Sequence, residues 1–132
     1  MTSHPTRFAL ATLAVLLLAV AAGAADGVDN LKNTTPAQRA AVQDALMQDM
    51  FSPTADQQAA LAALNLKYAE KMEPLIKGDD GFFARMRGMK AVNEEKEAEM
   101  QKLLTPAQWT QYLDGKADMR KKFDARIAAQ QP

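Results

Sequence analysis

The sequence predicts an all-α protein: a signal peptide, then one short N-terminal helix and three long helices, arranged as an elongated, curved layer that dimerises. Two observations carry the fold class. Thr followed three residues later by Gln occurs at Thr35–Gln38, Thr54–Gln57 and Thr105–Gln108. This is the spacing of a capping box, in which the Thr oxygen accepts the third helical amide and the Gln side chain reaches back to the Thr amide. Behind each start, apolar residues recur at three- and four-residue steps, the period of one helix face. No segment shows the two-residue alternation of a strand.

The N-terminus comes first. Met1 to Arg7 carries one positive charge and no acid, and Phe8 to Ala22 has Thr12 as its only polar residue. Ala22-Gly23-Ala24 then places small residues where a signal peptidase reads them. A basic start, a short apolar stretch and an A-x-A site predict a secretory signal peptide over residues 1–24. The apolar run falls short of the ~20 residues that cross a bilayer, so no membrane anchor is expected after cleavage. No Cys follows it, which excludes a lipid-anchored lipoprotein. Residues 25–34 are polar, contain glycine and show no periodicity, and read as a flexible leader.

The helical domain is expected over residues 35–129. Its first helix runs from about Pro36 to Met50, with Val42, Leu46 and Met50 on one face, and Ser52-Pro53 ends it. Two of the three boxes place Pro at the first helical position, where a missing N–H costs nothing. The second helix runs from Ala55 to about Lys77 along Leu61, Leu64, Tyr68, Met72 and Leu75, and Pro74 should loosen its last turn. Gly78-Asp79-Asp80-Gly81 is a turn by composition. The third helix covers Phe82 to Leu104, with Met86, Met89, Val92, Met100 and Leu103 in its stripe. The fourth covers Pro106 to about Ala128, with Trp109, Tyr112, Leu113, Met119, Phe123 and Ile127. An antiparallel hairpin about the Gly-Asp-Asp-Gly turn sets Leu75 opposite Phe83, Met72 opposite Met86 and Asn65 opposite Asn93. A buried Asn pair would fix that register at some cost in stability. Helices of ~23 residues span ~35 Å, too long for a thin seam to cover in a compact monomer, and a homodimer is expected.

Composition restricts the chemistry. The chain has sixteen acids, sixteen bases, one His and no Cys. Removing residues 1–24 takes away His4 and Arg7 and leaves the rest close to neutral. A nucleic-acid binder usually carries a strong basic excess. Without His or Cys, the common nucleophile–base pairs and thiolate or imidazole metal sites are missing. Glu94, Glu95, Glu97 and Glu99, with Lys90, Lys96 and Lys102 among them, read as a solvated face. No enzyme activity, cofactor or metal site is expected. Seven Met follow the apolar N-terminal run, at positions 47, 50, 72, 86, 89, 100 and 119. Flexible core filling comes first, an adaptable protein-binding surface second, and soft-metal binding a weaker third. Arg85, Arg87 and Lys90 flank Met86 and Met89, while Arg120, Lys121, Lys122 and Arg126 flank Met119 and Phe123. Apolar stripes edged by long cations suit loose capture of unfolded or acidic segments.

Leu104-Thr105-Pro106-Ala107-Gln108 resembles the L-T-x-x-Q motif of the Spy/CpxP-like family of small periplasmic proteins. The family's motif occurs twice. The early copy is Thr54–Gln57, with Pro53 at the Leu position, or Thr35–Gln38, with Thr34 there. Thr54 is favoured because the run from Gln57 to Met72 resembles that family's second helix. The resemblance covers roughly residues 35 to 127. It implies a periplasmic, curved, antiparallel homodimer that holds unfolded or misfolded envelope proteins without ATP. Alternatively, it implies a regulator that restrains the periplasmic domain of an envelope-stress sensor kinase. A zinc-binding branch relies on His-rich segments that this chain lacks.

Overall fold

The computed structural model describes residues 27–132, which are helical with short connections and, among those residues, without a strand. The expected signal peptide lies outside them. A short helix, α1 (residues 27–32), precedes α2 (Pro36–Phe51), α3 (Ala55–Lys77), α4 (Phe82–Leu103) and α5 (Pro106–Ala129). Each predicted capping box forms in both directions: Thr35, Thr54 and Thr105 accept the third amide, and Gln38, Gln57 and Gln108 accept from the Thr amide. The start of α4, at Gly81, has no side-chain cap. At the end of α2, Ser52 takes a left-handed conformation (φ 47°) and donates its amide to Gln48. The Pro at position 53 then prevents the helix from continuing.

The segment expected to be a flexible leader is ordered where it is described. Val28 and Leu31 are buried in helical residues 27–32, and Leu31 joins the core with Val42, Leu46, Ile76, Phe123 and Ile127. The buried guanidinium of Arg39 explains it. It donates to the carbonyls of Leu31 and Thr34 (2.8 Å to Thr34) and to that of Ala69, and it pairs with Glu73. At the other end, Gln131 donates to the Asn30 carbonyl at 3.1 Å and accepts from Asn33 at 2.9 Å. Burial pushes the Glu73 carboxyl upward, but bonds from Lys77 and Arg39 outweigh it and hold the group below its usual range.

The helices pack in the spatial order α4–α3–α2–α5: α2 lies on α3, and each inner helix carries one outer helix. Two apolar clusters result. One gathers Met47, Phe51, Leu61, Leu64, Tyr68, Met100, Leu104 and Tyr112 near the α2–α3 and α4–α5 turns. The other lies toward the Leu31–Ile127 end. Two interior glycines mark close approaches. A Cβ at Gly88 of α4 would come 2.8 Å from the tip of Leu75 of α3, and one at Gly115 of α5 would come 2.9 Å from the tip of Met50 of α2.

The register of the α3–α4 hairpin differs from the expected one. Asn65 is fully buried, as a seam Asn should be, but it donates to Asp44 of α2 (2.6 Å) and to the Met47 sulfur. Asn93 is exposed and donates to Glu97 on its own helix. Across the pair, Lys67 bridges to Glu99 at 2.8 Å, Lys71 bridges to Glu95, and Leu75 lies against Gly88. Helix α4 is therefore slid along α3 by roughly one and a half to two turns. The turn supplies the reason. Gly78 and Gly81 are both extended, so the chain runs past the end of α3 before α4 begins. The first turn of α4 overhangs, and Phe83, expected to face Leu75, is 77 % exposed.

Candidate functional site

Helices α4 and α5 follow one another in the chain, yet they do not pack backbone against backbone. Side chains join them near the turn, where the Tyr112 hydroxyl donates to Glu97 at 2.7 Å and Lys116 reaches the same oxygen at 3.4 Å. Burial, and then that bond, push the Tyr112 hydroxyl far up. Beyond this point the two helices leave a groove floored by α2 and α3.

Two cavities lie in the groove, of about 320 and 290 Å³. They share Gln43, Asn93, Lys96, Arg120 and Phe123, and so form one continuous depression. The first runs toward the turn past Met47, Met100 and Met119. The second runs the other way past Met72, Ile76, Met86 and Met89. Of the seven Met residues in the helices, only Met47 and Met100 are buried, and the other five are half-buried. Met47 and Met100 thus fill the core, as first expected for methionine, and Met50, Met72, Met89 and Met119 pack against its clusters from the edge; six of the seven also border the groove.

Four of the eight residues singled out as a binding surface meet here: Met86, Met89, Lys90 and Arg120 all border the second cavity. The other four do not border either cavity. Arg85 folds back toward the turn, its Nη1 donating to the Gly78 carbonyl at 3.4 Å, and its buried Nε has no partner. Arg87, Lys121 and Lys122 are exposed, and Lys122 pairs with Asp118 at 2.9 Å.

At the centre of the groove is a residue that sequence reasoning assigned to a solvated charge run. Lys96 is only 8 % exposed, and its ammonium donates to Gln43 Oε1 at 2.5 Å. No carboxylate of the described residues pairs with it within salt-bridge distance. Burial lowers its pKa to about 8, opposed by the nearby charges of Asp44 and Glu97. The signal was in the stripe itself. Met89, Val92, Lys96, Met100 and Leu103 step by three and four, so the lysine stands where the helix face turns inward.

The two L-T-x-x-Q-like starts are also brought together. Gln57 Nε2 donates to Gln108 Oε1 at 2.7 Å, Gln108 Nε2 donates back at 3.3 Å, and Gln57 reaches the Leu103 carbonyl at 3.2 Å. The starts of α3 and α5 are thus clamped to each other. Among the described residues, Gln38 makes no such cross-helix bond and closes only its own box.

Among the described residues, no helix is long and apolar enough to cross a membrane, and no three of His, Cys, Asp and Glu are grouped to hold a metal ion. No protein-family model, curated protein or solved structure matches the chain.

Proposed function

We propose that this protein is a periplasmic, ATP-independent holdase that binds unfolded or misfolded envelope proteins. It is exported through a signal peptide over residues 1–24 and works as a curved homodimer. The observation that carries the reading is the groove between α4 and α5, open, lined with thioethers and edged by Lys90 and Arg120. Thioether side chains are flexible and polarisable, so one groove accommodates many apolar segments without a fixed fit. Cations at its edge draw in acidic clients and speed encounter, an effect that salt screens. The reciprocal Gln57–Gln108 pair supports the resemblance, because it joins the two starts that match the paired motif, with Thr54 as the early copy.

Aggregation assays on the purified protein test this reading. Near-stoichiometric protein should suppress light scattering by several unrelated clients without nucleotide, and less so as salt rises. Replacing Met86 and Met89 together by Ser should weaken suppression while helical content is retained. Failure to suppress any client would overturn the proposal. Tight binding to one sensor-kinase domain alone would assign the chain to the regulatory branch instead.

A further inference from the structure

Lys96 is a cation in the wrong place unless something meets it. Burying an ammonium without a paired anion is costly, and its neighbours leave it short of partners. An ammonium has three donors, and among the described residues only Gln43 accepts from this one. The two carboxylates near enough to favour its charge are engaged elsewhere. Asp44 accepts from Asn65 at 2.6 Å, and Glu97 accepts from Tyr112 at 2.7 Å and Lys116 at 3.4 Å.

The surroundings define the missing partner. The second cavity, about 290 Å³, has no acidic residue in its wall. Its cations are Arg39, Lys90, Lys96 and Arg120, of which Arg39 pairs with Glu73, Lys90 with Glu94 at 3.8 Å and Arg120 with Asp124. Beside these cations, the apolar part of the wall is formed by Leu31, Met72, Ile76, Met86, Met89 and Phe123. Its size lies at the lower edge of small-ligand pockets, roughly 300–1,000 Å³. A buried ammonium beside apolar side chains in one groove of this size calls for a ligand with a charged end and an apolar end.

We propose that the groove binds a free medium-chain aliphatic carboxylate, with the carboxylate on the Lys96 ammonium and the chain along Met72, Met89 and Phe123. A docked carboxylate supplies the acceptor that Gln43 alone does not. The inference stands apart from client capture, since a chain can bind such an acid whether or not it holds unfolded proteins.

Isothermal titration at neutral pH with decanoate tests it, with decanol as the chain without the charge and acetate as the charge without the chain. Decanoate should saturate at one per chain and bind at least about tenfold tighter than either control, the span of a charge-assisted hydrogen bond. Lys96→Met should lose that advantage and bind decanoate no better than decanol. An apolar replacement removes an internal charge, so the variant is expected to fold, and its far-UV spectrum checks this. In the parent protein, decanoate should also shift the Lys96 side-chain resonances, a readout that needs no variant. No uptake by the parent, equal affinity for decanol, or undiminished decanoate binding by Lys96→Met would each overturn the assignment. A groove filled by a second copy of the chain would reveal itself as the first of these outcomes.

Discussion

Lys96 illustrates how much one side chain can set against its own fold. A lysine with a pKa lowered from 10.5 to about 8 is one whose charge the folded state opposes. In the interval between those values the unfolded chain holds more protons than the folded one, so stability rises with pH there. The penalty is complete below about pH 8 and fades as pH climbs toward 10.5. Its full size is about 3 kcal/mol, at 1.36 kcal/mol per pKa unit. Lys96→Met should therefore be more stable than the parent at pH 7, and its margin should shrink steadily by pH 10. Comparing urea melts of the two proteins across that range cancels the other groups that titrate there. A margin constant from pH 7 to 10 would mean the ammonium is solvated. The charge run around Lys96 hid it from sequence reading, because composition in a window outweighed the position of one residue in the stripe. Arg39 was hidden for a different reason. Besides Glu73, its partners include the carbonyls of residues 31, 34 and 69, and no side-chain pattern announces backbone acceptors.

Helix boundaries were legible because their determinants are local. A Thr, a Gln three residues on and a Pro between them depend on nothing farther away than one turn, and all three boxes formed where the spacing set them. Register was not legible, because it depends on how far an extended turn carries the chain, and two glycines do not announce their dihedrals. What the boxes do across helices also lay beyond spacing. Gln38 and Gln108 close identical local boxes, but only Gln108 also bonds another helix. Gln38→Ala is thus an internal control for Gln108→Ala. Both should lose the local box, and Gln108→Ala should cost a further 0.5–1.5 kcal/mol or so, the net worth of a typical hydrogen bond. Chemical denaturation of the two variants measures the difference. Equal losses would show that the Gln57–Gln108 pair contributes nothing to stability.

At the scale of the whole molecule, the stripe of α4 is the telling feature. Of its apolar members only Met100 is buried, while Met86, Met89, Val92 and Leu103 stay half-exposed and Phe82 and Phe83 are exposed. Such a helix has apolar area left to cover, and Phe82, Phe83 and Leu103, which border neither cavity of the groove, are the physical basis for the proposed dimer. Sedimentation should find an elongated dimer at tens of micromolar, and a compact monomer would remove the basis for a curved cradle. The sequence anticipated unmet apolar area from helix length. It did not anticipate where that area opens, because the divergence of α4 from α5 is fixed by which inner helix each rests on.

The two interior glycines bear on that divergence. Gly88 seats α4 on α3 beside the Gly78–Gly81 turn, whereas Gly115 seats α5 on α2 beside the Ser52–Pro53 turn, at the opposite end of the fold. The jaws of the cleft are therefore notched onto different beams at different ends, and are joined to each other at the α4–α5 turn, where Tyr112 and Lys116 hold Glu97. Met86 and Met89 flank the first notch, and Lys116 and Ala117 adjoin the second. A methyl group added at position 88 would meet the tip of Leu75, a flexible end that can turn aside. One added at position 115 would likewise meet the tip of Met50. Each notch thus bears on one half of the cleft, and the halves meet at the side chains they share, Lys96, Arg120 and Phe123 among them.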